Sequence, residues 1–268
     1  MAVAAAPADA PTLPVRAVRP GSLLAVGLAL VRPLGAQRVE LPHGLQAGRR
    51  HVGIRALSSP GSTVWYPASC GRPPAPTAPC RDASPDSGRF PLLLFAPAGE
   101  HAAQDTVLAR YFASHGYVVV VVSSGAPSSA GLEKALGAAR GLPFVDSTRV
   151  AVAGAGRGAT AARRLAEQEG LIGALAELRP VDDPPTAAVR QRFATLIVRD
   201  STGRPAAAVG RRLTVSLPGG PSDHVRLVIA VTHAFLNPAL GRGSLSVSDL
   251  TRRLRAAGLD ACCPTDRD

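Results

Sequence analysis

The stretch RVAVAGAGRGATAARRLAEQEG, residues 149–170, has the residue types from which catalytic and cofactor sites are built. A short apolar run ends at Ala153, glycines follow at Gly154, Gly156 and Gly158, and an Ala- and Arg-rich segment comes next. A buried strand that passes through a sharp glycine turn into a helix serves two unrelated chemistries. One presents a nucleophile to an ester or amide, and the other binds the pyrophosphate of a dinucleotide.

The first interpretation is a nucleophile elbow of the pattern G-x-S-x-G, to which Gly154 and Gly158 conform. In that motif the small flanking residues let the chain turn sharply and lift the serine above the sheet. Gly156 stands at the serine position. Since glycine has no oxygen, sulfur or nitrogen side-chain atom with which to attack, this interpretation predicts an elbow without its nucleophile.

The second interpretation is a dinucleotide fingerprint, G-x-G-x-x-A, over the turn GAGRGA. Its glycines admit a pyrophosphate to the helix N-terminus, and an acidic residue about 20 positions further on binds the ribose. Glu177 has a suitable position for that contact. The fingerprint normally follows the first strand of its sheet, whereas about four predicted strands precede this one. The order favours the elbow, and dinucleotide binding stays open as an alternative.

The segments around the turn alternate between strand and helix patterns, which is typical of an α/β sheet. Val52 to Leu57 and Ser62 to Tyr66 flank a Ser-Ser-Pro-Gly turn and predict an antiparallel N-terminal hairpin. The further predicted strands are 90–95, 117–122, 149–153, 172–176, 194–198 and 225–231, and the predicted helices are 104–115, 132–139, 159–169 and 250–257. We therefore predict a mostly parallel sheet with helices on both faces.

Over about residues 48–240 the chain resembles the α/β-hydrolase family, in particular platelet-activating-factor acetylhydrolases and dienelactone-hydrolase-like esterases. The resemblance rests on VGIRAL followed by VWYPAS, on FPLLLFAPAG where the family has a strand running into Ser-His-Gly, on LARYFASHGYVVVVV, and on VDSTRVAVAGAGRGATAA where it has Gly-His-Ser-x-Gly. It implies an α/β-hydrolase-like fold and a small-molecule ester or lipid-like ligand. No cofactor is expected.

The resemblance also assigns a degenerate catalytic triad. The family nucleophile falls on Gly156, the histidine on His233 in VTHAFLN, and the acid beside Ala176, where Glu177 is the nearest carboxylate. This predicts a catalytically impaired relative of carboxylester hydrolases. An active hydrolase with another nucleophile stays open, and Ser123 and Ser124, at the end of the Val-rich strand, are its candidates.

An oxyanion hole would combine the elbow with the loop after Phe95. Pro97 stands about where the family has histidine, and proline has no N–H to donate, which weakens such a hole. The residues assigned to the hole and the elbow are Ala98, Gly99, Gly154, Arg157 and Gly158.

The ends of the chain differ in composition from its middle. Arg16 and Arg19, the apolar run 22–31 and Leu-Gly-Ala before Gln37 predict a signal peptide or disordered leader over residues 1–36. A single domain is predicted over 37–258, followed by a polar tail over 259–268.

Cys70 and Cys80 bracket a Pro-rich loop and are predicted to form a disulfide. Together with the leader, this indicates a secreted or periplasmic protein, and without the leader a cytoplasmic one. No histidine pattern near these cysteines supports a metal site. Cys262 and Cys263 lie in the predicted tail and receive no role.

The net charge of +11 comes from arginines scattered in ones and twos, with Lys134 the only lysine. Nucleic-acid modules cluster their basic residues among aromatics, whereas aromatics are 4% of this chain, so we predict no nucleic-acid partner. No apolar run reaches the roughly 18–20 residues that span a bilayer, so no integral membrane segment is predicted. The oligomeric state is not predicted.

Overall fold

The computed structural model describes residues 46–71, 78–99, 102–123, 127–181, 193–200, 212–217, 225–242, 246–256 and 259–262. Its strands join into one sheet in the order β11-β10-β9-β8-β7-β5-β6-β2-β1-β3, with β4 paired to β2. The strands are β1 (Val52–Ala56), β2 (Ser62–Ser69), β3 (Cys80–Arg81), β4 (Ser84–Pro85), β5 (Phe90–Ala96), β6 (Val118–Val122), β7 (Val145–Ala155), β8 (Ile172–Leu178), β9 (Ala194–Asp200), β10 (Arg212–Leu217) and β11 (Asp260–Cys262). The helices are α1 (Ala102–Ser114), α2 (Ser129–Arg140), α3 (Arg157–Gln168), α4 (Val225–Ala239) and α5 (Val247–Ala256).

The centre of the sheet is parallel and its N-terminal edge is antiparallel. Strands β6, β5, β7, β8, β9 and β10 run parallel to one another. The hairpin of β1 and β2 is antiparallel, and β2 joins β6 in the antiparallel sense. The five valines of β6 are fully or almost fully buried, as expected of β-branched residues in a strand covered on both faces. The predicted α/β architecture is confirmed.

Helices cover both faces of the sheet. Side chains of α1, α4 and α5 pack on one face, and those of α2 and α3 pack on the other. Successive residues of a strand alternate between these two layers, as the pleat requires. In β8, Ala176 and Leu178 belong to the α1/α4 layer, whereas Leu175 belongs to the α2/α3 layer. The face on which a strand residue lies therefore decides which helices it can contact.

Two elements near the C-terminus differ from the sequence prediction. The predicted strand 225–231 is wrong, because these residues begin helix α4. Val225, Val228, Ile229 and Thr232 recur every three or four residues and share one helix face, a period that their β-branched character obscures. Strand β10 was not predicted, although Arg212 to Leu217 alternate strictly between polar and apolar residues.

The domain also extends beyond the predicted boundary at residue 258. Strand β11 pairs antiparallel with β10, and Ala261 is buried. The expectation of a polar tail from residue 259 is therefore corrected, because the backbone up to Cys262 is hydrogen-bonded in the sheet. Cys263 and the predicted leader over residues 1–36 lie outside the described residues.

Cys70 and Cys80 are joined by a disulfide, which ties the end of β2 to β3. A bridge across so short a loop reduces the entropy of the unfolded chain by an amount worth up to about 3 kcal/mol. Within the described ranges, no helix has both the length and the apolar character that crossing a bilayer requires.

Candidate functional site

The chain turns sharply between β7 and α3 at Gly156. This residue has φ 52° and ψ −120°, a conformation that side-chain-bearing residues adopt only under strain. Its N–H donates to the carbonyl oxygen of Leu178 at 2.9 Å, and its own carbonyl accepts from the N–H of Ala159 at 3.1 Å. The strand, the turn and the helix are thus bound to one another within a few residues.

The glycines on either side of the turn allow the strand and the helix to approach very closely. A Cβ atom on Gly154 would lie 2.1 Å from the carbonyl oxygen of Gly158. A Cβ atom on Gly158 would lie 2.1 Å from the carbonyl oxygen of Ala96 in β5. Both contacts involve backbone atoms that cannot move aside. This junction has the strand–turn–helix shape that G-x-S-x-G motifs require, with glycine at the central position.

A cavity of about 170 Å³ lies beside the turn, at the carboxyl end of the parallel strands. Its volume is close to that of cavities of about 150 Å³ that bind benzene. Among its described lining residues none carries a hydroxyl, thiol or imidazole group. The described lining residues are the apolar or small Phe95, Ala98, Leu108, Ala155, Gly156, Leu178, Val225, Val228 and Ile229 and the polar Gln104, Asp105 and Arg179.

The loop after β5 supplies one wall of this cavity. Ala98 lines it, and its Cβ would lie 3.2 Å from a Cβ built on Gly156. Gly99 has φ 89°, which favours glycine, but it does not line the cavity. The side chain of Arg157 is exposed and lines a separate groove with Thr160 and Arg164. Of these predicted residues, the structure brings only Ala98 and Gly156 together at the cavity.

Glu177 lies on the opposite face of the sheet from the cavity. It is 1% exposed, and its carboxylate pairs with the guanidinium of Arg163 on α3. Its neighbour Leu178 lines the cavity, so alternation along β8 directs Glu177 into the other layer. Burial raises the pKa of Glu177, although the nearby guanidinium groups lower it. The assignment of Glu177 as triad acid or ribose contact is corrected, because its carboxylate is enclosed beneath α3.

His233 lies near the amino ends of the parallel strands, whereas Gly156 lies at their carboxyl ends. The ring is in contact distance of Tyr111, Phe112, His115 and Tyr117. Tyr117 immediately precedes β6, whereas Gly156 follows the end of β7. The length of such a strand, roughly 16 Å, therefore separates the surroundings of His233 from the turn. The assignment of His233 as a retained triad histidine is therefore corrected: the structure does not bring it to the elbow.

The surroundings of His233 explain its role in the fold. The hydroxyl of Tyr117 donates to Asn237 Oδ1 at 2.7 Å, which orients Asn237 Nδ2 toward His233 Nε2 at 3.2 Å. His233 Nδ1 lies 3.3 Å from the hydroxyl of Tyr111. Burial lowers the pKa of His233 to about 3, with smaller contributions from His115 and Arg242. The neutral ring therefore connects α1, α4 and the start of β6.

Ser123, one of the two serines proposed as an alternative nucleophile, does not line the cavity. Ser123 is exposed after β6, and its N–H donates to the carbonyl oxygen of Gly61 at 2.9 Å. Ser124 lies outside the described residues. In the part of the chain that the structure describes, no group of three or more His, Cys, Asp or Glu side chains is arranged to hold a metal ion.

Sequence reasoning missed several residues of the cavity wall. Val225, Val228 and Ile229 were assigned to a strand, and their helical spacing was the signal that would have found them. Arg179, directly after β8, has a positive φ of 49°, which its sequence neighbours do not indicate. His224 directly precedes Val225 in the sequence and lies outside the described residues.

Comparison with known proteins identifies the fold. The chain is similar to a solved structure described as ferulic acid esterase from Streptomyces cinnamoneus, with a TM-score of 0.55 and 17% sequence identity. The match covers 80% of this chain and 98% of the esterase chain. No protein-family model and no curated protein matches the sequence. The chain thus has an esterase-like α/β fold.

The first prediction concerns the close approach at the elbow. Gly154→Ala should lower the free energy of unfolding by about 3 kcal/mol or more, because the new methyl group would overlap a backbone carbonyl. Gly137→Ala is the matched control, since no atom lies within 4 Å of the place its methyl group would take on the exposed side of α2, and it should gain roughly 0.5–1 kcal/mol. Urea denaturation measures both, and equal effects would contradict the prediction.

The second prediction concerns the pH dependence of stability. The pKa of His233 is depressed to about 3 in the folded state, whereas the unfolded chain protonates it near its ordinary value of 6.5. Its contribution to stability is therefore complete above pH 6.5 and decreases by up to about 1.4 kcal/mol per pH unit as the pH falls toward 3. His233→Gln should flatten this decline, whereas His51→Gln, at an exposed position, should not. Parallel urea titrations at several pH values would show no difference between the two variants if His233 were solvated.

Proposed function

We propose that this protein binds a small apolar ligand of the ester or lipid-like class at the Gly156 elbow and does not perform covalent ester hydrolysis there. One observation carries the proposal. The turn has the positive-φ backbone and closely spaced flanking glycines of a nucleophile elbow and adjoins a cavity, yet its central residue offers only a backbone Cα. The binding part of a hydrolase site is retained where the attacking group is missing.

The loss of the nucleophile is decisive for turnover. Removing the serine of a Ser-His-Asp triad reduces kcat by about a million-fold, which leaves only the contributions of binding and of oxyanion donors. The described lining residues contain no hydroxyl, thiol or imidazole group that would replace it. The position of Ser123 outside the cavity argues against the alternative of a displaced nucleophile.

The cavity favours a short acyl chain or a single aromatic ring. Its walls are mostly apolar, so transfer of such a group from water is favourable by about 25 cal/mol for each Å² buried. At the start of α3 the Ala159 N–H already donates to the Gly156 carbonyl oxygen, which leaves the N–H groups of Arg157 and Gly158 as donors for a ligand carbonyl oxygen. A ligand of this size is expected to bind in the micromolar to millimolar range.

The relationship to platelet-activating-factor acetylhydrolases or dienelactone-hydrolase-like esterases is part of this proposal. It is supported by the motifs in the sequence and by the esterase-like fold. We also propose that the protein works in an oxidising compartment outside the cytoplasm, because the Cys70–Cys80 disulfide would be reduced in the cytosol. A dinucleotide site is not favoured, since the Glu177 carboxylate is buried on the face of the sheet away from the cavity and pairs with Arg163.

The third prediction tests ligand binding and turnover together. Purified protein should bind p-nitrophenyl acetate in saturation-transfer NMR without hydrolysing it faster than a heat-denatured sample, and a fluorophosphonate probe should label no serine. Ala98→Phe fills the cavity and should weaken binding at least tenfold, whereas Ala130→Phe, on the exposed side of α2, should not change it. Hydrolysis that the fluorophosphonate abolishes would contradict the proposal.

The fourth prediction concerns the missing hydroxyl. Gly156→Ser should restore little or no esterase activity and should lower stability by about 1–3 kcal/mol, because a side chain is strained at this positive φ and its Cβ would lie 3.2 Å from that of Ala98. Gly156→Ala separates the two effects, since it has the same strain and no hydroxyl. Turnover in the serine variant that the alanine variant lacks would show that the other groups of a hydrolase site are intact.

A further inference from the structure

Among the described lining residues of the cavity, three are polar. Gln104 and Asp105 belong to the first turn of α1, and Arg179 directly follows β8. Asp105 and Arg179 each interact with another group of the protein. Gln104 has no such partner within the described part of the chain. Its carboxamide, with two N–H donors and one carbonyl oxygen, is therefore the polar lining side chain that remains for a ligand.

Gln104 lies on the face of α1 that is turned to the cavity. Leu108 comes one helical turn later on the same face and lines the cavity as well. Leu108 is 5% exposed, whereas Gln104 is partly exposed. Because the side chains of a helix tilt toward its N-terminus, Gln104 extends away from the buried Leu108. This places the carboxamide at the exposed side of the cavity, next to an apolar interior.

The charged side chains along the cavity disfavour a charged ligand. The carboxylate of Asp105 would repel an anion, and the guanidinium group of Arg179 would repel a cation. Attracting either side chain to a ligand would also disturb the interaction that it already makes. The apolar lining residues add the cost of moving an ion out of water. An uncharged ligand avoids all of these costs.

A hydrocarbon does not match the cavity either. If it covered Gln104, the carboxamide would lose solvent and gain no hydrogen-bond partner, which costs more than a made hydrogen bond contributes. A ligand with a carbonyl oxygen avoids this cost, because the oxygen accepts from Gln104 Nε2. Sites that pair a polar group with the ligand discriminate in this way against analogues that lack the partner.

We propose that Gln104 is a specificity-determining residue of the cavity, and that its Nε2 donates to the carbonyl oxygen of an uncharged ester whose apolar part lies among the apolar lining residues. This inference rests on the proposed function, because it requires that the cavity binds a ligand. It narrows the ligand class, since it favours an ester over both a hydrocarbon and a free carboxylate.

Toluene, methyl benzoate and benzoate are three probes that share one aromatic ring and differ in the polar group. In NMR titrations of the unaltered protein, methyl benzoate should bind more tightly than benzoate. Gln104→Leu should weaken the binding of methyl benzoate by about three- to tenfold, which corresponds to the net contribution of one neutral hydrogen bond. The same variant should bind toluene equally well or more tightly, because it has no carboxamide to leave unpaired.

The ratio of the toluene and methyl benzoate affinities is the decisive quantity, since a general change in the cavity would alter both affinities together. Gln168→Leu makes the same substitution at an exposed position of α3 and should leave the ratio unchanged. Gln104→Met, which keeps the length of the side chain and removes the donor, is a second variant if Gln104→Leu does not fold.

Two results would overturn the inference and leave ligand binding by the cavity intact. One is an unchanged ratio in Gln104→Leu, and the other is tighter binding of benzoate than of methyl benzoate. Binding of none of the three probes to the unaltered protein would instead contradict the proposed function, and this inference together with it.

Discussion

The close contact of β7, α3 and β5 is the constraint on which the site depends. Backbone carbonyls occupy the space where side chains of Gly154 and Gly158 would lie, so the helix can begin directly above the end of the strand. This contact forces Gly156 into a positive φ. The cavity exists because the turn rises between the loop after β5 and the start of α4. Loosening the contact would displace the turn, the cavity wall and the helix together.

Glycine at the top of this turn has neither the reactive hydroxyl of a serine nor the strain that a side chain would bring. A serine there adopts a conformation that costs on the order of 1–3 kcal/mol, which an enzyme tolerates because the hydroxyl must be presented. Glycine reaches the same conformation without the clash of a Cβ atom. The binding function that we propose needs no turnover, so glycine at this position stabilises the fold and leaves the cavity in place. The proposed function, binding in a pocket without a nucleophile, is consistent with this balance.

The two faces of the sheet have separate chemistry. On the α1/α4 face, the cavity lies at the carboxyl ends of the strands and the His233 contacts lie at their amino ends. The α2/α3 face contains Glu177, which pairs with Arg163. Residues close in sequence are thereby divided, since Leu178 lines the cavity while its neighbour Glu177 pairs with Arg163. Both polar groups assigned to a triad instead hold helices against the sheet. His233 connects α4 to α1, and Glu177 connects β8 to α3.

The sequence by itself determined the local elements and the turn. Apolar runs such as that of β6, the hairpin signal and the glycine spacing around Gly156 each act over a few residues, so they can be recognised without the rest of the chain. The strand–turn–helix junction and the disulfide follow from such local patterns. The sequence did not predict helix α4, because its β-branched residues favour a strand locally, whereas packing against the sheet stabilises them as a helix.

Only the tertiary structure decided which side chains meet. Whether Glu177 faces the cavity depends on the register and pleat of β8, since a shift of one residue reverses the face. Whether His233 reaches the elbow depends on how far along α4 it lies from the cavity-lining Val225 and Val228. Long-range contacts set both, through the packing of α3 and α4 on opposite faces of one sheet. Motif spacing contains no information on the face of Glu177 or on the distance of His233 from the elbow. The sequence therefore predicted the turn correctly but not the positions of these two residues.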